Sequence, residues 1–513
     1  MKSIIKFNYI LIASLFLVLS CNEDLPEYFE YQPYSYTQND STGGNWHSIL
    51  VPNVSVLNIP APLIGGTPEY MADLADLKTS ATNPTSEQIN AIQFWANDGI
   101  IRWNELAREF ISKYNLPPSP NADGSYSVPN SATPDVYPFF PFSHPTYACR
   151  ALAYLSGAQY DALIAAWNFK YKFNVPVRQN TDPSIPNRLP VTTLPSYPSE
   201  GAVIASVSKS LLIALFPLEK VRIEAMATQH INSLQWAGRN TKSDIKAGDS
   251  LGILVANEFK KRVSSDGMKS AQTPKPISDS IKNAAFARFG WSWKNLETPE
   301  RLVGITPLFG KVKPWFIPSV EAVRPGPPPA IGSEEFNKAA DELKSIADNL
   351  TEDQRKLAYF YADGVGVYSP PGHWNRIAVE HIVSDKVSPI RAARILAYMN
   401  YAVMDAGISC WDTKYYYHYP RPSQAIPGFK TLLGIPNFPS YTSGHSCFSS
   451  AAATVLAHFF KNDKAEFDKT AENAALSRIY GGIHYRFDSE AGRTSGINIG
   501  NYSVNNAILD AAE

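Results

Sequence analysis

The chain contains Arg150-Ala-Leu-Ala-Tyr154, then Asp161-Ala162 and Trp167, and it repeats this series as Arg394-Ile-Leu-Ala-Tyr398, Asp405-Ala406 and Trp411. The two series lie 394 − 150 = 244 residues apart. At the same offset, Pro195-Ser-Tyr-Pro-Ser199 matches Pro439-Ser-Tyr-Thr-Ser443, and residues 244–257 match residues 488–501. Three ordered matches at one offset predict an internal duplication.

The repeated segments have the periodicity of helices. Residues 148–172 and 390–417 space their apolar side chains three and four apart, and residues 446–460 form an alanine-rich run long enough for a buried helix. Few segments alternate polar and apolar residues as strands do. The sequence therefore predicts an all-α fold of two related helical bundles.

Composition sets the expected boundaries of these bundles. Residues 311–335 form a proline-rich linker between them, which includes Arg324-Pro-Gly-Pro-Pro-Pro329 and should be extended. We expect a signal peptide at 1–21, an N-terminal extension at 22–84, a degenerate first bundle at 85–310 and a second bundle at 336–513.

The N-terminus has the features of an export signal. Lys2 and Lys6 precede an apolar run at residues 9–19, and Val18-Leu19-Ser20-Cys21 resembles a bacterial lipobox. We expect an exported lipoprotein, periplasmic or on the cell surface, that touches the membrane only through a lipid on Cys21. An ordinary signal peptide or an uncut anchor remains the alternative.

Charge and cysteine content narrow the possible partners. The net charge of −1 provides no basic excess, so we expect no nucleic-acid partner. With Cys21 lipidated, Cys149, Cys410 and Cys447 remain; at least one is unpaired, and their spacing is not that of a metal site. Buried thiols are the simplest interpretation, and the disulfide state stays open.

Three blocks of polar residues interrupt the apolar helices of the second half. They run from Lys414 to Arg421-Pro422, across Ser443-Gly444-His445, and from Ser477-Arg478 through His484 to Asp488. Three cations around one point would repel each other unless an anion lay between them, and the arginine fork suits a tetrahedral oxyanion. The three blocks together therefore predict an oxyanion site in the C-terminal bundle.

The remaining residues of the blocks add donors and proton carriers. Ser443 and Gly444 precede a predicted helix, whose first N–H groups bind anions, and glycine permits close approach. His445 is placed to move a proton. His484 offers a nitrogen to a central atom, and Asp488, four residues on, could orient its ring as well as cap the helix.

Together the blocks resemble the signature of the superfamily of vanadium-dependent haloperoxidases and type 2 phosphatidic acid phosphatases. That signature has Lys, six residues, Arg-Pro; then Pro-Ser-Gly-His; then Ser-Arg, three residues, Gly, one residue, His, three residues, Asp. The spacing within each block agrees. The one departure is Thr442, which stands where the family usually has proline.

The resemblance implies a role for each matching residue. His484 would bond vanadium or attack phosphorus, His445 would be the acid–base, and Lys414 and Asp488 would assist catalysis. The implied cofactor is vanadate, with phosphate as substrate or competitor, and the small-molecule partners are peroxide and halide. The oxygens of the anion would be held by Lys414, Arg421, Ser443, Gly444 and Arg478.

The first repeat lacks this set of residues. At the 244 offset, Arg421 corresponds to Val177, His445 to Gly201, Arg478 to Leu234 and His484 to Asn240. We therefore predict one active site per chain and a first half that acts as scaffold.

Three functions fit these observations. The chain length and the duplicated bundles resemble the haloperoxidase branch and favour peroxide-driven halide oxidation. A secreted acid phosphatase acting through a phosphohistidine at His484 is the alternative, and a non-enzymatic surface lipoprotein with a relic site is the third.

Three further residues lie near the blocks. His373 could line the pocket, and His418 is expected to pack. Phe438 resembles the aromatic residue that fungal chloroperoxidases have seven residues before the histidine, where algal bromoperoxidases have histidine.

Overall fold

A computed structural model describes residues 33–36, 38–115, 144–296, 303–364 and 366–512. Within these ranges the chain forms α-helices, short 3₁₀ turns and loops, without β-strands, as predicted. None of the described helices combines the length and apolarity needed to cross a membrane. The predicted signal peptide, residues 1–21 with Cys21, lies outside the described residues.

The helices fall into two series along the chain. The first series is α1 Pro68–Thr82, α2 Ser86–Phe94, α3 Ile100–Tyr114, α4 Pro145–Phe173, α5 Arg178–Thr181, α6 Glu200–Leu215, α7 Lys220–Trp236, α8 Lys242–Ser265 and α9 Lys275–Phe289. After a short helix α10, Val320–Val323, the second series is α11 Glu334–Asp348, α12 Glu352–Phe360, α13 Ser369–Ser384, α14 Pro389–Tyr417, α15 Pro422–Ala425, α16 Gly444–Phe459, α17 Lys464–Tyr480 and α18 Arg486–Ile508.

Five helices of the first series recur in the second at the offset found in the sequence. The helices α4, α5, α6, α7 and α8 begin 244 residues before α14, α15, α16, α17 and α18 respectively. The caps recur as well, because Ser199 and Ser443 each accept a backbone N–H at the start of α6 and α16. These matches support the predicted duplication.

The longest helices, α4 and α14, pack against each other at the centre of the molecule. Each begins with proline in its first turn and ends at a left-handed residue, Asn174 or His418. Gly157 makes the close approach possible, because a Cβ there would lie 1.8 Å from the Tyr401 hydroxyl oxygen.

The proline-rich segment is tied to this central pair. Asp405 on α14 accepts the backbone N–H groups of Trp315, Phe316 and Ile317 at 2.7, 2.7 and 3.1 Å. In the first half, Asp161 accepts three successive N–H groups from residues 49–51 in the same way. A buried carboxylate with three donors holds an extended segment firmly, so both halves use the repeated Asp-Ala pair to fix a loop on a helix.

In the described part of the predicted extension, residues 33–36 and 38–84, one α-helix packs on the first half. Helix α1 contacts α7, and its Leu74 and Leu77 pack with Ile185. Helix α11 contacts α17 in the second half, and Thr67 and Ser333 cap the two helices.

Candidate active site

The structure brings the three blocks together at one end of the second bundle. Lys414 lies in the last turn of α14, Arg421 precedes α15, and Ser443 caps α16. Arg478 lies in the last turn of α17, His484 in the loop that follows it, and Asp488 in the first turn of α18.

Direct contacts join the blocks. The Nη1 atom of Arg421 donates to the Ile483 carbonyl at 2.8 Å and lies 3.0 Å from Nε2 of His484. The N–H of Ser443 donates to the Asp488 carbonyl at 3.0 Å. Lys414 Nζ donates to the carbonyls of Pro439 and Ser440, both at 2.8 Å.

Asp488 orients the ring of His484. Its Oδ2 atom lies 2.8 Å from Nδ1 of His484 and accepts the Ser440 hydroxyl at 2.6 Å and the Tyr485 N–H at 3.2 Å. A carboxylate at Nδ1 fixes the proton there, which leaves Nε2 with a free electron pair directed towards Arg421. The Tyr485 contact is also a helix cap, so Asp488 has both roles considered from the sequence.

We call Lys414, Arg421 and Arg478 the cation cluster. All three side chains are buried, and within the described part of the chain none forms an ion pair with a carboxylate. Arg478 instead donates to the carbonyls of Ala358 and Tyr361. The Nη2 atom of Arg421 is buried without a hydrogen-bond partner among these residues. Buried cations without a counterion are costly, so the cluster is built to receive an anion.

Burial perturbs the acidities of the cation cluster. It lowers the pKa of Lys414 to about 8 and that of Arg421 and Arg478 to about 10, because the charged forms lose their hydration. Burial, followed by the charges of Arg421 and Lys414, holds the pKa of His484 well below its usual range. His484 is therefore neutral at physiological pH, as a ligand or nucleophile must be.

The structure adds an acid that the sequence analysis did not identify as a site residue. Asp363, in the loop after α12, lies 3.6 Å from Nε2 of His445 and 3.3 Å from Nδ1 of His373. Burial lowers the pKa of His445 to about 4, with the charge of Arg478 adding to the effect and Asp363 opposing it. The predicted pocket histidine, His373, thus shares one carboxylate with the predicted acid–base.

The ring of Phe438 lies over two members of the cation cluster. Lys414 Nζ and the Arg421 guanidinium carbon each lie 5.1 Å from the centre of the Phe438 ring, within the range of cation–π attraction. Trp411 packs against Phe438 with ring centroids 4.9 Å apart. Phe438 therefore packs an apolar ring against Lys414 and Arg421.

His418 packs, as expected. It is buried at the end of α14, and its Nδ1 atom accepts the N–H of Trp293 at 3.0 Å. Burial lowers the pKa of His418 to about 4, which keeps the ring neutral.

The corresponding place in the first half is filled by internal ion pairs. Lys170, the counterpart of Lys414, forms an ion pair at 2.5 Å with Glu200, which stands where the second half has Gly444. Asp244, the counterpart of Asp488, pairs with Arg178. A carboxylate of the chain itself therefore neutralises the remaining lysine, which agrees with the predicted scaffold role.

Comparison with known proteins finds similar sequences and similar folds. The sequence model of the PAP2 superfamily matches residues 395–507, which include every residue of the three blocks. The vanadium chloroperoxidase of Curvularia inaequalis is 24% identical over 237 residues, which are 30% of this chain and 39% of that protein. The match thus spans well under half the length of this curated relative.

Solved structures extend the likeness to most of the chain. A bacterial vanadium-dependent iodoperoxidase superposes with a TM-score of 0.60 at 24% identity, over 79% of this chain and 96% of that one. A bacterial vanadium-dependent chloroperoxidase in its holo form superposes with a TM-score of 0.51 at 12% identity, over 75% and 97%. The chain has the all-α fold of the vanadium haloperoxidases, and the resemblance to their superfamily is confirmed.

Proposed function

We propose that this chain is a vanadium-dependent haloperoxidase-like enzyme, which uses hydrogen peroxide to oxidise halide at a vanadate bound to His484. The observation that carries the proposal is the buried cation cluster, which forms no ion pair with a carboxylate among the described residues and whose Arg421 lies 3.0 Å from Nε2 of His484. Overall, one peroxide and one proton would convert halide to hypohalous acid and water.

The residues present fit a tetrahedral oxyanion. The unpartnered Nη2 of Arg421, the Lys414 ammonium and the Arg478 guanidinium would hold its oxygens by charge-assisted hydrogen bonds. The Ser443 hydroxyl and the Gly444 amide at the start of α16 would add neutral donors. Vanadate, when bound, supplies a Lewis-acidic centre that activates peroxide for attack by halide.

The residues of the chain would manage the protons of this reaction. His445 is neutral because of its lowered pKa, so its ring can accept a proton from incoming peroxide. Its Nε2 faces Asp363, which would stabilise the charged ring and leave Nδ1 as the acceptor. The Lys414 ammonium would donate a hydrogen bond to the anion, and the Phe438 ring would limit the access of water to Lys414 and Arg421.

An acid phosphatase is the second candidate, because the signature that the three blocks resemble is shared with phosphatases and the same cluster would hold phosphate. Nε2 of His484 would then attack phosphorus, and His445 would protonate the leaving oxygen. The likeness to haloperoxidases over about four-fifths of the chain favours the first candidate. A relic site is disfavoured by the complete set of residues in the second half.

One pair of assays separates these functions. Purified protein is incubated with vanadate, peroxide and iodide or bromide, and separately with a chromogenic phosphate ester. We expect vanadate-dependent halide oxidation that excess phosphate suppresses, and His484→Ala should abolish it. His458→Ala, a histidine on α16 outside the cluster, is the matched control. Phosphate-ester hydrolysis that vanadate inhibits, without halide oxidation, would establish the phosphatase instead.

A further inference from the structure

Two buried thiols face each other beside the cation cluster. Cys410 lies on α14 one turn before Lys414, and Cys447 lies on α16 one turn after Ser443. Their exposed fractions are 1% and 0%, and both sulfurs contact the hydroxyl group of the same residue, Thr442. The proposed function assigns neither of them a role.

Thr442, the one departure from the superfamily signature, contacts both sulfurs. Its hydroxyl oxygen lies 3.4 Å from Sγ of Cys447 and donates to Sγ of Cys410 at 3.6 Å. The Cys410 thiol in turn lies 3.6 Å from the Thr442 carbonyl oxygen. A proline at this position could not make the hydroxyl contacts, so Thr442 gives both sulfurs a polar neighbour that the usual residue would not provide.

The environment activates one of the two sulfurs. Burial alone would raise the pKa of Cys410, but the hydrogen bond from Cys447 and the charge of Lys414 outweigh it and lower the pKa to about 7. The pKa of Cys447 is raised, first by its hydrogen bond to Cys410 and then by burial. One thiolate beside one protonated thiol is the arrangement from which disulfides form.

We propose that Cys410 and Cys447 are a peroxide-sensitive pair that closes to an intrachain disulfide beside the cation cluster. The Cys410 thiolate attacks one oxygen of hydrogen peroxide, the O–O bond breaks, and the departing hydroxide takes a proton and leaves as water. The sulfur of Cys447 then displaces the oxygen of the resulting sulfenic acid as a second water. Two thiols are oxidised to one disulfide, and one peroxide is reduced to two waters.

The bond would join the two helices that carry the anion-binding residues. A disulfide needs sulfurs about 2.05 Å apart, and the two sulfurs would approach each other from positions 3.6 and 3.4 Å from the Thr442 hydroxyl oxygen. Lys414 and Ser443 each lie one turn from a bonded cysteine, so oxidation would lock their separation. The proposal does not depend on halide oxidation, because added peroxide is the only oxidant required.

Peptide mapping of the full chain tests the proposal. Reduced protein is treated with hydrogen peroxide, denatured, alkylated and digested, and the peptides are weighed. We expect the Cys410 and Cys447 peptides to be linked, with the loss of two hydrogen atoms. Cys149 is the control thiol, because it is also buried but contacts the Thr146 carbonyl at 3.3 Å instead; it should stay alkylated.

Serine variants identify the order of the two steps. In Cys447→Ser, Cys410 should accumulate as a sulfenic acid that dimedone traps, and Cys149→Ser should form the linked peptide as the native chain does. The proposal is wrong if the two peptides stay unlinked at peroxide doses that oxidise methionines, or if Cys149 is oxidised as fast as Cys410. Because the peptide mapping uses the native chain, poor folding of a variant cannot explain away a negative result.

Discussion

Replacing Asp488 by asparagine tests how the chain prepares His484. Asparagine has the same shape, and its carbonyl oxygen could keep the Oδ2 contacts to His484, Ser440 and Tyr485. What is lost is the charge that fixes the proton on Nδ1 and strengthens Nε2 as a donor. Removing a carboxylate that hydrogen-bonds a metal-binding histidine typically weakens metal binding about 10–100-fold, or roughly 1.4–2.8 kcal/mol.

The loss of a negative charge also acts on every anion near the cation cluster. Burial raises the pKa of Asp488 to about 6, so near pH 7.5 the carboxylate is ionised and repels a bound anion. Sulfate experiences this repulsion but makes no bond to a histidine, so it measures the charge effect alone. We therefore expect the ratio of the vanadate Kd to the sulfate Kd to rise about 10–100-fold in Asp488→Asn.

Equilibrium dialysis of vanadate and sulfate provides both dissociation constants. Asp244→Asn is the matched control, since Asp244 is the buried counterpart 244 residues earlier and pairs with Arg178. This control should lose about 3–5 kcal/mol of stability but leave the ratio unchanged. An unchanged ratio in Asp488→Asn, or an equal change in both variants, would refute the assigned role of Asp488.

Three further predictions follow from buried charges. Glu200→Gln leaves the Lys170 ammonium buried without its carboxylate, so denaturant unfolding should show a loss of about 3–5 kcal/mol; an unchanged midpoint would contradict this. Sulfate binds the charged form of Lys414, whose pKa is about 8, so its affinity should fall about tenfold per pH unit above that pH; a level titration from about pH 7 to about pH 9 would count against the lysine. Asp363→Asn keeps a residue that tolerates the left-handed backbone but removes the charge facing His445, so halide oxidation should fall at least about tenfold while vanadate affinity is retained; equal losses in both would indicate a structural role.

The sequence predicted the helical class and the grouping of the three blocks because both depend on local spacing. Helical periodicity fixes which faces are apolar, and the blocks follow helix ends whose caps, such as Ser443, are visible as residues. The repeat offset also survives in the structure, since α4 and α14 begin 244 residues apart.

The contacts of Asp363 and Glu200 could not be predicted from the sequence. Asp363 lies in a loop with no fixed spacing to His445. Only the packing of α12 against α17 and of α13 against α16 brings the two residues together. Glu200 looked like an ordinary first-turn acid, a position that helices favour anyway, so its ion pair with Lys170 left no separate signal. Contacts of this kind depend on tertiary approach, which no single segment encodes.

Crystals of the chain grown with vanadate test the oxyanion site most directly. We predict one vanadium per chain at bonding distance from Nε2 of His484, with its oxygens in contact with Lys414, Arg421 and Arg478. Vanadium bound elsewhere, or a cation cluster that remains without an anion at saturating vanadate, would contradict the account.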